Sequence, residues 1–477
     1  MTGLGRREVL LGTAGLVGGC TLGPAYRRPA LDLPAAFAAS SEGAALAWPL
    51  PGWWRNFGST ELDGLIERAR DYNADLAVAA ARVAQADAQV RINGSPLLPA
   101  LNGNANFSYQ RTGTGGRNTG SSFGAGGGGR YFDSRNYNTG LQASYDLDFW
   151  GRNRATYEAS QAVALSTRFD QETVALSVVT SVASTYFQVL SGQDRLSVAR
   201  QNLASAQRVL GAYQARLSVG TATALDVSQQ AALVAAQRAA LPNLENTIAQ
   251  PLLGLGILVG TPPERLNLVG GSLTRLKFPT VGAGLPSSLL RRRPDVAAAE
   301  AQLVSVNANI RAARAAFFPT VTLTTSGGLA SAALSTLTGP GTVVASLASG
   351  LVQPIFDNGL RRGQLDLEKG REAELVATYA KAVLQALTDV EQSLAAVHYT
   401  SDQEALEQQA VDVAQRSADI ARAQLEAGTI DIITSLNTQQ TLFSDQDLLV
   451  QVRFAKFQGL LNLYKALGGG WEGGVAP

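Results

Sequence analysis

The sequence predicts an α+β fold in which long helices join a transmembrane β-barrel that a single chain cannot close. Three observations carry that expectation. The chain is written twice, its clearest strand alternates strictly over about a dozen residues, and two stretches of some sixty residues read as unbroken helix.

The duplication is legible as echoes at a near-constant offset. NADLAVAAARVAQADAQVRINGSPLLPAL (73–101) matches RPDVAAAEAQLVSVNANIRAARAAFFPTV (293–321), with Asp75 and Asp295, and Pro99 and Pro319, each 220 apart. FWGRNR (149–154) matches FDNGLRR (356–362) at 207. RLSVGT (216–221) matches QLEAGT (424–429), and LLGLGILVG (252–260) matches LLNLYKALG (460–468), both at 208. The offset falls because the first copy carries extra residues around the Gly-rich loop 112–132. Each copy reads as a helix, a proline, two strands around a loop, a long helix, a tip and a returning helix. The expected plan is a removable leader over 1–19 and an extended anchored segment over 20–60. The copies follow over 61–270 and 286–470, with strands near 100–149 and 319–355, and 471–477 is a tail.

Along 136–149, Tyr137, Thr139, Leu141, Ala143, Tyr145, Leu147 and Phe149 alternate with polar residues, which places the two sets on opposite faces. A soluble sandwich can show the same pattern. The length and the aromatics near both ends favour a membrane strand. Residues 102–109 are the expected hairpin partner, with 320–325 and 343–355 as second-copy counterparts. Pro99 and Pro319 mark the change from helix to strand, because proline disfavours helical geometry in the residue before it. Four strands cannot close a barrel, and an open edge in hydrocarbon leaves backbone groups unpaired at several kcal/mol each. Two copies would give eight strands and three would give twelve. The alternation alone does not choose. The helical runs 154–217 and 360–425 reach roughly 90–100 Å at about 1.5 Å per residue, and their apolar faces need a partner.

Composition excludes other classes. The 39 basic and 38 acidic residues nearly cancel, leaving no electrostatic footprint for nucleic acid. Charged residues are only 16% beside 45% hydrophobic, below the roughly 25% usual in soluble domains. One cysteine excludes an internal disulfide framework and a cysteine-based zinc cluster, and the lone His398 reads as an ordinary helix residue. No motif calls for a cofactor or a metal, and the chain is expected not to be an enzyme.

The first twenty residues read as an export leader. Arg6 and Arg7 precede a short apolar run, 9–19, that ends in Val17-Gly18-Gly19-Cys20. Cys20 resembles the cysteine of a lipobox, which becomes the lipidated first residue of the mature chain. Thr21 after it implies sorting to the outer membrane, and the arginine pair leaves Sec and twin-arginine export both open. Beyond Cys20 no continuous apolar run reaches the roughly 20 residues of a membrane helix, so a membrane-spanning part must be built of strands.

Seven segments carry a family resemblance: CTLGPAYRRPALDLP (20–34), GWWRNFGSTELDGLIERA (52–69), YDLDFWGRNRA (145–155), LPSSLLRRRPDVAAAEAQL (285–303), AFFPTVTL (316–323), PIFDNGLRRG (354–363) and LYKALGGGW (463–471). They resemble, in order, the signature segments of the TolC/OprM/NodT outer-membrane efflux lipoproteins. The resemblance implies a homotrimer with a twelve-stranded barrel in outer-membrane lipid and a twelve-helix α-helical barrel across the periplasm. It also implies docking onto a periplasmic adaptor (membrane fusion) protein that couples to an inner-membrane RND-type pump. The implied function is passive conduction of small molecules or drugs to the exterior. A duct for type I-like secretion and a structural coiled-coil lipoprotein are the alternatives.

By the same resemblance, Val219, Gly220 and Thr221, with Gly428 and Thr429, form the tips that meet the adaptor. The closed gate lies just beyond the second tip. Relatives carry an aspartate nine residues after the second-tip glycine, and this chain has Asn437 there. Three carboxylates at close range favour cations; three amides do not. A gate held by Ile433 packing and by hydrogen bonds among Thr434, Asn437 and Gln440 is therefore expected, with Asp431 and Asp226 the nearest remaining acids.

Overall fold

The computed structural model describes Gly23 and residues 26–34, 36–37, 48–114, 130–282 and 286–471. Cys20, the leader and residues 115–129 of the Gly-rich loop lie outside the described residues. In chain order the first copy contributes α1 (Thr60–Tyr72), α2 (Ala74–Gly94), β1 (Ala100–Thr114), β2 (Arg130–Asp146), α3 (Arg152–Ser218) and α4 (Ala224–Leu258). The second contributes α5 (Pro286–Arg292), α6 (Pro294–Ala315), β3 (Thr320–Ser331), β4 (Val343–Val352), α7 (Leu360–Glu426) and α8 (Ile432–Ala466). Both long helices are 67 residues and both returning helices are 35, so the two copies agree in length.

Two compact units form, and they cut across the duplication. Among the described residues, one holds Gln85–Ala164 and Gln302–Leu375; the other holds Pro29–Ala84, Leu165–Ala301 and the chain from Val376 onward.

The first unit contains the sheet. Its order is β1-β2-β3-β4, antiparallel throughout, with Ala100 opposite Ser144, Tyr137 opposite Ser331 and Thr320 opposite Val352. β1 and β4 are the outer strands, each with one edge unpaired among the described residues. Register sorts the side chains onto two faces. Leu101, Ala105, Phe107, Tyr137, Leu141, Tyr145, Leu323, Leu329, Val343, Leu347 and Leu351 share one face, and the Phe107 and Tyr137 rings pack across the strands at 4.7 Å. Asn102, Asn104, Asn106, Asn138, Gln142, Ser144, Thr322, Thr324 and Ser326 share the other. The apolar face is open to the surroundings, with Phe107 59% and Leu347 74% exposed.

The strands differ from expectation at their ends. β1 and β2 run past 102–109 and 136 to Thr114 and Arg130, and β3 runs past 325 to Ser331, because the ladder satisfies backbone groups that propensity alone undervalues. β2 stops at Asp146 rather than 149. Asp148 turns to cap α3, its carboxylate accepting from the Asn153 and Arg154 amides at 3.1 and 2.9 Å. β4 ends at Val352, ahead of Pro354, which has no N–H to donate. Between the copies, the Trp150 indole donates to the Pro319 carbonyl at 2.9 Å and its ring stacks on Phe318.

The second unit holds the main core. The 3₁₀ turn Trp53–Phe57 inserts aromatics among α1, the middle of α3, and the C-terminal ends of α4 and α8. Trp53 stacks on Tyr464 at 4.3 Å, and Phe57 meets Phe187 edge-on at 5.1 Å. Glu61 anchors the segment between α4 and α5, accepting from the Val269 and Gly270 amides at 2.7 and 3.1 Å. Arg293, buried, bridges Asp295 and Asp389 and donates to the Ala466 carbonyl. By length and composition α3 holds one stretch apolar enough to cross a membrane, and half of that stretch is buried inside the protein. Val182, Ala183, Tyr186 and Phe187 of α3 pack in the aromatic core. His398 lies exposed on α7, 3.7 Å from Asp402.

Candidate functional site: two helical tips

The two tips have the same construction. Each long helix ends on a glycine at positive φ, Gly220 at +73° and Gly428 at +75°, a conformation that side-chain-bearing residues adopt at a cost. The Gly220 amide donates to Leu217 O at 3.0 Å and the Thr221 amide to Arg216 O at 2.8 Å. Gly428 and Thr429 repeat this against Leu425 O and Gln424 O at 3.1 and 2.9 Å. Each threonine hydroxyl donates to the same carbonyl as its own amide, which satisfies a helix end that lacks intrahelical partners.

Both returning helices start on caps. Thr223 caps α4 in a reciprocal box: its hydroxyl oxygen accepts from the Asp226 amide, and the Asp226 carboxylate accepts from the Thr223 amide and hydroxyl at 2.8 Å each. Asp431 caps α8, accepting from the Thr434 amide at 2.7 Å. That backbone hydrogen bond is the main reason the Asp431 carboxyl is held below its ordinary pKa.

The tips share a small core. Tyr213, Leu425 and Ile432 are buried together, with Val209, Ala222, Val227, Ile430 and Leu436 against them. Arg216 spans the two tips, donating from Nη1 to the Leu425 carbonyl at 3.1 Å while its guanidinium lies over the Tyr213 ring. Burial raises the Tyr213 phenol pKa first; Arg216 opposes, and Asp226 and Asp431 both add to the rise. Both acids therefore lie within electrostatic reach of one ring, and both are engaged in helix caps.

Val219 is 73% exposed and Leu225 64%, so the first tip presents apolar side chains outward. On α8 the exposed residues recur at helical spacing: Ile433, Thr434, Asn437, Gln440, Thr441 and Ser444. Ile433 is 54% exposed, so within one chain it does not pack as a plug. The expected bonds among Thr434, Asn437 and Gln440 are not made among the described residues. The nearest side-chain bond there is local to the helix: the Thr441 hydroxyl donates to the Asn437 backbone carbonyl at 3.0 Å. Sequence reasoning missed Arg216 and Tyr213. The signal was present: Arg216 aligns with Gln424 of the second copy, a cation with no counterpart.

The model of the outer membrane efflux protein family matches residues 65–261 and 285–469, one span for each copy. The pyoverdine export outer membrane protein OpmQ of Pseudomonas aeruginosa is 39% identical over 96% of this chain and 95% of its own length. The cation efflux system protein CusC of Escherichia coli is 31% identical over 95% and 96%, and the solvent efflux pump outer membrane protein SrpC of Pseudomonas putida is 33% identical over 96% and 97%. Among solved structures, the outer-membrane channel OprN superposes with a TM-score of 0.87 at 25% identity, covering 95% of this chain and all of that one. The open state of the Neisseria gonorrhoeae MtrE outer membrane channel superposes at 0.84 with 29% identity, covering 94% and 98%. An open four-stranded sheet, duplicated 67-residue helices, a family model over both copies and chain-length relatives agree. The chain belongs to the outer membrane efflux protein family, α+β channel proteins of the Gram-negative outer membrane whose helical barrel and β-barrel are completed by trimerisation and which serve as the outer component of tripartite efflux systems.

Proposed function

We propose that three copies of this chain form one passive export duct for small organic molecules, received from a periplasmic adaptor protein and an inner-membrane RND-type pump. The duct has no catalytic role. The observation that carries the reading is the sheet: four strands, one continuous apolar face, one polar face and, among the described residues, two unpaired outer edges. Such a sheet is compatible with hydrocarbon only when neighbours pair its edges, and three copies supply twelve strands. The polar face then lines water and the apolar face meets lipid.

The finer assignments follow from the same reading. Cys20 carries the lipid anchor, the segment 20–60 leads from it, and the copies 61–270 and 286–470 supply equal shares of barrel and tube. Val219, Gly220, Thr221, Gly428 and Thr429 meet the adaptor, a role supported at the first tip by the exposed apolar Val219 and Leu225 beside Gly220. Ile433, Thr434, Asn437 and Gln440 face the constriction, where their partners are the same residues of neighbouring copies. An amide ring at Asn437 suits organic cargo better than metal cations. The relative of highest identity given above exports pyoverdine by name, and the cation-efflux relative is more distant. Detergent extraction from outer membranes followed by mass measurement tests the proposal. A trimer of lipid-modified chains is expected; an unmodified monomer in the soluble fraction would end it.

A further inference from the structure

The charges of the sheet are unevenly placed. β3, β4 and the loop between them, residues 320–352, contain no Asp, Glu, Lys or Arg. On the apolar face of the described sheet, the charged residues are Arg111, Asp133 and Arg135, all at the loop end of the β1–β2 hairpin. Tyr109 lies opposite Arg135, Arg111 opposite Asp133, and Gly113 opposite Tyr131. The Arg135 guanidinium sits 6.0 Å from the Tyr109 ring centroid and the Arg111 guanidinium 5.2 Å from that of Tyr131. Arg111 Nε pairs with Asp133 at 3.0 Å, and Arg135 makes no ion pair among the described residues.

Depth along the strand places this cluster. From Leu101 to Arg111, and from Tyr145 to Arg135, ten residues span about 34 Å along the strand. A tilt of roughly 40° reduces that to about 26 Å, close to the ~25 Å apolar band of an outer-membrane barrel. Helices α2 and α3 leave from the opposite ends of these strands, so the arginines lie at the outward rim, at headgroup level. Tyr131, on the same face, is 65% exposed there, an amphipathic residue expected at such a boundary.

The geometry points to a binding site on the membrane-facing side of the β1–β2 hairpin for the phosphate groups of an outer-leaflet glycolipid, with Arg135 and Arg111 as the phosphate ligands and Tyr109 and Tyr131 as the platforms that hold them. A guanidinium matches phosphate geometry through paired N–H donors, and stacking on tyrosine fixes its plane. Asp133 orients Arg111 and prevents two adjacent cations from repelling. The site rests on the barrel reading, because only a closed barrel sets this face against lipid.

Native mass spectrometry of the delipidated trimer tests it, with diphosphoryl lipid A, a lipid A lacking both phosphates, and inorganic phosphate as probes. Retention of diphosphoryl lipid A is expected to weaken about five-fold for each arginine removed in Arg135→Gln and in the double variant Arg111→Gln/Arg135→Gln. Millimolar inorganic phosphate should not displace the lipid, which separates a lipid site from a free-anion site. Equal retention of phosphorylated and phosphate-free lipid by the unaltered trimer overturns the proposal even if a variant fails to assemble. Equal retention by the unaltered and double-variant trimers overturns it as well. Absence of a trimer in the unaltered protein would instead refute the barrel reading.

Discussion

Two adjacent glycines of β3 should respond oppositely to the same substitution. A Cβ on Gly328 would lie 2.3 Å from the Thr139 carbonyl oxygen and 2.7 Å from Gly140 Cα, both backbone atoms of β2. Ordinary contact begins near 3.4 Å, so Gly328→Ala must part the strands by about 1 Å. That takes the nearest ladder bonds beyond hydrogen-bond range, and two bonds at a net 0.5–1.5 kcal/mol amount to about 1–3 kcal/mol. A Cβ on Gly327 meets nothing within 4 Å, so Gly327→Ala keeps the ladder and restricts the unfolded chain, a gain of about 0.4–1 kcal/mol. The assay is the temperature at which each trimer dissociates in a heated SDS gel, read side by side. Gly328→Ala is expected to dissociate well below the unaltered protein and Gly327→Ala at or slightly above it. Equal dissociation temperatures for the two variants would refute the close approach of β2 and β3.

Two further outcomes follow from the tips. Asn437→Asp places three carboxylates at the proposed constriction, so divalent cations should block conductance in planar bilayers at several-fold lower concentration than in the unaltered trimer; unchanged block would place residue 437 away from the pore. The Asp431 carboxyl is held below its ordinary value by the Thr434 amide, so its cap is fully present at neutral pH and fades only as pH falls below about 3.8 and through the lowered value. Hydrogen exchange at residues 432–434 should match that of Asp431→Asn, which keeps an uncharged cap, down to about pH 4 and depart from it below. A departure already near pH 5 would contradict that sign.

The parts legible in the sequence were those set by local chemistry. Pro99 and Pro319 announced the ends of α2 and α6, and the proline-free runs gave α3 and α7 to within two residues. Strict alternation marked β2, where every second side chain meets a different solvent. β1 and β3 were less legible at their outer ends, where Gly and Ser weaken the strand signal and the ladder with a neighbour decides. The division into units was hidden for a similar reason: it joins pieces of both copies through contacts hundreds of residues apart. At the site, Gly220 and Gly428 could be read because the turn requires their backbone freedom. The bond from Arg216 to the Leu425 carbonyl could not, since nothing in either copy alone says that the two tips lie side by side.

The duplication also explains why the acids at the tips are poor substitutes for an acidic gate. At the 208-residue offset, Thr223 corresponds to Asp431 and Asp226 to Thr434. The copies use the same two residue types with positions exchanged: threonine at the cap and aspartate in the first turn of α4, aspartate at the cap and threonine in the first turn of α8. Either order delivers one carboxylate to the unpaired amides of a helix start, where the helix dipole also favours negative charge. Turning Asp226 toward a pore would cost the hydrogen bonds from the Thr223 amide and hydroxyl, and turning Asp431 would cost that from the Thr434 amide. Both carboxylates are thus committed to caps, and position 437 of the proposed constriction carries an amide.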